Sequence, residues 1–373
     1  MEKAPADEEG SHFNSATKRM VEKWRAGIEK VSKKLSDVRE AERVARDEGA
    51  TATDDEEKKR ALRKEEAALD EVRAACESLF RIAADAFHNG HYAVAREAAE
   101  FIPSDVARVD DNGEPDGYFK GALFKFFYGD FYMKRLYEPV GQLQTDRSNE
   151  LARAGDDAPR RSAIEKKYRD EAKKILGSGA FALLLWCSDS LRTDAALALS
   201  LKEERGFWSD ILPRMTHLSV SLGADDETFQ TLLGATAAFA KHADSADYPL
   251  VDRAVIWSAY AASGIGPYTE LRKEADSPLI GADIQKAFAI LDQHPTDEEG
   301  HTMNYRIAFG YFKILSSYTP EELLDAGITA QYAEQIRKKI RAALPGKVQL
   351  LDSICRSITE ESHSRNARMK QAA

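Results

Sequence analysis

A chain of 373 residues, 43% hydrophobic and 31% charged, has enough apolar content for one large core or for two or three domains. Its formal net charge of −10 argues against nucleic acid or an anionic membrane as the main partner. The three cysteines, Cys76, Cys187 and Cys355, are odd in number and far apart. That excludes a disulfide framework and a zinc-ligand spacing, and fits a reducing compartment such as the cytoplasm.

Residues 1–12 carry Glu2, Asp7, Glu8 and Glu9 without an apolar run, and read as a disordered lead rather than a signal or transit peptide. From 13 to 88 the chain writes two long helices with coiled-coil seams. The first seam is Val21, Trp24, Ile28, Val31, Leu35, Val38 and Ala45, with Glu42 its one polar member. The second is Leu62, Leu69, Val72, Cys76, Leu79, Ala83 and Ala86, broken by Glu65. Gly49 is the expected C-terminal cap of the first helix. Thr53 with Glu56 reads as a capping box opening the second. So short a connection predicts an antiparallel helical hairpin. A seam of this length needs one partner helix rather than a whole core. Val21, Trp24, Ile28, Val31, Leu35 and Val38 are therefore expected to bind a protein partner or a second copy of the chain.

The stretch 79–141 reads as repeat-like helices around an aromatic core. Leu79, Ile82, Ala83, Gly90, Tyr92, Ala95 and Ala99 place small and apolar residues as two short helices around a glycine turn would need them. This pair resembles one tetratricopeptide repeat, and Gly129-Asp130-Phe131 echoes it without a clean period. Ser104 to Gly117 reads as a loop. Nine aromatics follow within 118–137. Most read as packing between helices, and Tyr118, Phe124, Phe127, Tyr128, Phe131 and Tyr132 form the candidate ligand groove. The polar stretch 142–161, with Gly155 and Pro159, is the expected linker or loop.

Beyond it, 162–362 carries helical signals throughout. Thr319-Pro320-Glu321-Glu322 opens a helix, Gly327 ends it and Thr329 starts the next. No period-two run persists, so no sheet is predicted. The tail 363–373 is basic and expected to be flexible. The longest apolar stretch, Ala180 to Cys187, is too short to span a bilayer, so no membrane partner is expected.

Motifs for chemistry are sparse. In His88-Asn89-Gly90-His91 the glycine between the histidines favours a helix end over a metal site. Gly177-Ser178-Gly179-Ala180-Phe181-Ala182 matches a loose dinucleotide string, but it follows a charged helix instead of a strand, so it reads as a tight break. There is no Gly-x-Ser-x-Gly elbow, P-loop, His-Glu-x-x-His or kinase signature. The expectation is an all-α protein: a long N-terminal hairpin followed by a multi-helix bundle or irregular α-solenoid with weak tetratricopeptide-like character. It needs no metal or cofactor and acts as a non-enzymatic interaction or scaffold protein. The alternative is an all-helical enzyme or ligand-binding effector with its pocket near 118–137.

Overall fold

The structure is a computed structural model that describes residues 15–109, 115–131, 136, 138–198, 202–245, 250–263, 282–293 and 305–372. The expected lead 1–12 lies outside them, as do Tyr132 and Tyr137. Among the described residues fifteen α-helices carry nearly all the regular structure, so the protein is all-α. It divides into two compact units. One runs to Cys187 and takes back Leu197–Leu201; the other comprises Ser188–Ala196 and Lys202–Ala373.

The first unit begins with α1 (Ser15–Thr51) and α2 (Asp55–His88), packed along one another as the seams require. Two details differ from expectation. Helix α1 runs through Gly49 to Thr51, because Gly49 serves close packing: a Cβ there would lie 3.4 Å from Ala61 Cβ. The cap of α2 is Asp54, whose carboxylate accepts the Glu57 N–H at 2.8 Å, one residue beyond the expected Thr53. A positive φ of 80° at Gly90 turns the chain into α3 (Tyr92–Glu100), which lays Ala95, Ala98 and Ala99 against α2.

The segment read as a loop holds the only sheet among the described residues. Strand β1 (Ala107–Val109) pairs antiparallel with β2 (Pro115–Tyr118). Strands of three and four residues carry too little alternation to register as a period. Helix α4 (Phe119–Phe131) follows at once. The expected linker 142–161 is instead mostly helical: α5 (Glu138–Ala154) and α6 (Ala158–Leu176) are separated by a three-residue turn at Gly155. These helices bury a small cluster of Ala154, Ile164 and Tyr168, and the stretch 142–161 is otherwise polar enough to read as a linker. Arg147 bridges the two with a bidentate grip on Glu165, at 3.0 and 2.8 Å. Gly177 closes α6, and Ser178 accepts the Phe181 N–H to open α7 (Gly179–Thr193), the tight break the sequence implied.

The second unit is a helical bundle with α8 (Lys202–Ser221), α9 (Asp226–Ser245), α10 (Leu250–Ser263), α11 (Ala282–Asp292) and α12 (Tyr305–Ser317). Helix α10 is its hub, packing on α8, α9, α11 and α12. Its residues Ile256 to Ala262 are buried without interruption, as a helix apolar on every side requires. Helix α13 (Pro320–Asp325) opens with the full capping box of Thr319 and Glu322, and Thr329 caps α14 (Ala330–Ile340). Helix α15 (Val348–Ala372) carries the tail expected to be flexible. Arg365 holds it down through Asp325 at 2.6 Å, a contact invisible in a basic tail read without its neighbours.

Candidate interaction arm

The hairpin α1–α2 is the feature that the sequence singled out, and its seam divides into two classes of residue. Trp24, Ile28 and Leu35 are buried, with Trp24 6% exposed, while Val21, Val31 and Val38 are half-buried. Trp24 Nε1 donates to Asp85 of α2 at 2.9 Å, and its ring sits 5.3 Å from that of His91. Gly27 lets α2 come close, since a Cβ there would be 3.1 Å from Ile82 Cδ1. The inner seam, expected to reach past its own hairpin partner, is thus largely consumed by it.

Toward the tip the pattern changes. Between residues 36 and 71 only Glu42, Ala45 and Ala61 are buried. Ala61 takes the seam place expected of Leu62, because Gly49 and Ala61 are small enough for the helices to close; Leu62 is left 54% exposed. Val44 is exposed on α1 as well. The buried carboxylate of Glu42 is neutralised by two guanidinium groups, Arg39 at 3.1 Å and Arg46 at 2.5 Å. Arg46 also reaches Glu65 of α2 at 2.9 Å, and Arg39 also pairs with Asp105 ahead of β1.

Exposed ion pairs flank the seam: Lys34 with Glu71 at 3.2 Å, Lys64 with Glu48 at 2.7 Å, and Arg25 with Glu97 of α3 at 3.4 Å. Each is worth about 0–1 kcal/mol, so their main effect is to fix orientation and register. A surface cleft of about 570 Å³ lies between α1 and α3, with Ile28 at its base, Glu22 and Glu29 on one side and Phe101, 47% exposed, on the other.

The aromatic block is placed differently from a groove. Phe124, Phe127, Tyr128 and Phe131 are buried, and Tyr118 is half-buried. Phe127 packs 4.9 Å from the Phe87 ring, Phe124 meets Trp186 of α7 edge-on at 5.3 Å, and Tyr128 donates to the Leu184 carbonyl at 3.3 Å. These rings join α2, α4 and α7 and fill the interior between them.

The histidine pair ends α2, with Asn89 as its C-cap. His88 stands edge-on to Phe126 at 5.1 Å, while His91 faces Trp24. Among the described residues no three His, Cys, Asp or Glu side chains gather as metal ligands. All three thiols are buried, and burial pushes Cys76 up to about 12 and Cys355 up to about 11, which opposes the thiolate that nucleophilic chemistry needs. No described helix is long and apolar enough to cross a membrane.

The signals that sequence reading passed over were the two polar interruptions, Glu42 and Glu65. Each was read as a break in its own seam, whereas together they mark where the helices are tied. No protein-family model, curated protein or solved structure matches this chain.

Proposed function

We propose that the protein is a non-enzymatic interaction or scaffold protein that presents its N-terminal hairpin as a binding arm, to a protein partner or to a second copy of itself. The observation supporting this is the distal half of the arm. Two helical segments, together 36 residues less a short turn, bury just two alanines and one glutamate, and leave Val44 and Leu62 in water. A helix pair that adds so little to its own core presents most of its outer surface to solvent, where a partner can meet it. On this reading the coiled-coil character orders the arm, the repeat-like pair α2–α3 anchors it, and the protein works in a reducing compartment such as the cytoplasm.

The test uses the full chain and the exposed positions, which can be changed without opening the seam. Sedimentation across a concentration series should show association that Val44→Glu with Leu62→Glu abolishes at unchanged melting temperature. If the chain sediments as a monomer, photo-crosslinkers at 44 and 62 in its native cell extract should capture one partner that the same charged substitutions release. A monomer with no site-specific adduct at either position sinks the proposal.

A further inference from the structure

Two buried donors on α10, Arg253 Nε and Trp257 Nε1, have no hydrogen-bond acceptor among the described residues. The residues are four apart and so share one helix face. Arg253 spends Nη2 on one oxygen of Asp244, near the end of α9. Lys286 of α11 donates to the other oxygen of Asp244, and its ammonium sits over the Trp257 ring, 4.2 Å from the centroid. Three helices of the second unit therefore bring one carboxylate, two cations and the Trp257 ring to one place.

The charges do not cancel. Among the described residues two cations share a single carboxylate, which leaves a surplus of one positive charge within the cluster. Trp257 is 1% exposed, whereas the Arg253 and Lys286 side chains are 29% and 42% exposed, so the cluster has a buried wall and a side open to solvent. Asp252, the residue before Arg253 on α10, pairs with Arg306 at 3.5 Å.

Buried polar groups without partners are uncommon in native proteins, and water or a bound ion usually accounts for them. Water can accept these hydrogens but brings no negative charge to offset the surplus. The uncommitted hydrogens all belong to donor groups: a guanidinium fork, an ammonium and an indole. Such a set suits a ligand that only accepts and carries negative charge, and a planar guanidinium is shaped for two oxygens on one centre.

We propose that Arg253, Lys286 and Trp257 form a binding site for a small oxyanion, the phosphate or carboxylate group of a small molecule. The site is independent of the N-terminal arm and stands or falls without it.

The experiment follows the indole N–H resonances of the four tryptophans in the full chain, with Trp257→Phe identifying the one at issue. Inorganic phosphate and acetate are titrated separately at ionic strength held constant with chloride. The Trp257 signal should move saturably with at least one of them. Tighter binding of phosphate names a phosphorylated ligand, and tighter binding of acetate a carboxylate. Lys286→Gln, at a partly exposed position, should weaken that binding at least tenfold, and Trp257→Phe should weaken it several-fold by calorimetry. The other three indole signals report that each variant is folded. No saturable shift with either anion, an equal shift with chloride, or full affinity in folded Lys286→Gln would each overturn the assignment.

Discussion

Glu42 and Glu65, the carboxylates that interrupt the two seams of the hairpin, are held by one guanidinium: Arg46 donates to Glu42 at 2.5 Å and to Glu65 at 2.9 Å. A charged residue at a seam position costs stability and fixes register: Arg39 and Arg46 share a helix with Glu42 and stay with it, but sliding the helices by one turn would carry Glu65 away from Arg46. Glu42→Leu is therefore expected to leave the melting temperature unchanged or raise it, because an apolar residue fills the seam with no charge to desolvate. Glu42→Ala, which fills nothing, should lower it. Thermal unfolding monitored by circular dichroism separates the two.

Trp24 both fills the seam and donates a hydrogen bond. Replacing it with Phe keeps most of the ring and forfeits the bond to Asp85, for an expected loss of about 1 kcal/mol. Trp24→Ala opens a cavity at a position that is 6% exposed and should cost about 3–5 kcal/mol. Urea titration gives both values, and equal losses in the two variants would contradict this account.

Gly121 on α4 has no room for a side chain. A Cβ would stand 2.0 Å from the carbonyl oxygen of Leu197, a backbone atom that cannot step aside. Gly121→Ala is expected to destabilise the first unit by about 1–3 kcal/mol or more, even though alanine favours helix. Gly141→Ala, on α5 with open space around it, should be neutral or stabilising. Comparing the two by calorimetry isolates the close approach.

Asp292 ties α11, α12 and α14 together. It accepts hydrogen bonds from Tyr311 at 2.7 Å and from Tyr332, and Lys339 approaches to 3.2 Å. Burial pushes its carboxyl up, but the bonds from Tyr332 and Tyr311 and the Lys339 charge outweigh that and hold it below the usual carboxylate range. A carboxyl lowered by folding adds stability above its unfolded value, near 4, and loses it as pH falls through the folded value. Asp292→Asn should therefore cost about 1 kcal/mol at pH 7, a figure reduced for partial exposure. The gap from wild type should shrink as the solution is taken below about pH 4. A gap independent of pH would show that the charge plays no part.

The three cysteines give a count. Burial raises Cys76, Cys187 and Cys355 alike. Maleimide added to the native protein at pH 7 is expected to modify none within minutes, and all three after denaturation, read as mass increments. Rapid native labelling of Cys76 would show that the seam of α2 opens readily.

The sequence alone determined the helices and the hairpin. Heptad spacing, the Thr319 cap and the Gly177 break are local, each set by a few residues whose propensities agree. It also marked the aromatic block as core, because rings at such density have nowhere else to go. Local signals fell short wherever the deciding partner was distant in the chain. Gly49 read as a cap because glycine ends helices, yet its neighbour is Ala61 on the next one. Leu62 read as seam and Ala61 as flank, until packing at the tip favoured the smaller residue. The stretch 142–161, most of α5 and the start of α6, read as a linker since it is polar and carries Gly155 and Pro159, and the tail read as free because Asp325, its counter-charge, is forty residues away. What tertiary structure decided was which charges meet. Electrostatic pairing depends on distance in space, and the meeting of Arg253, Lys286 and Asp244 across three helices has no trace in the order of the residues.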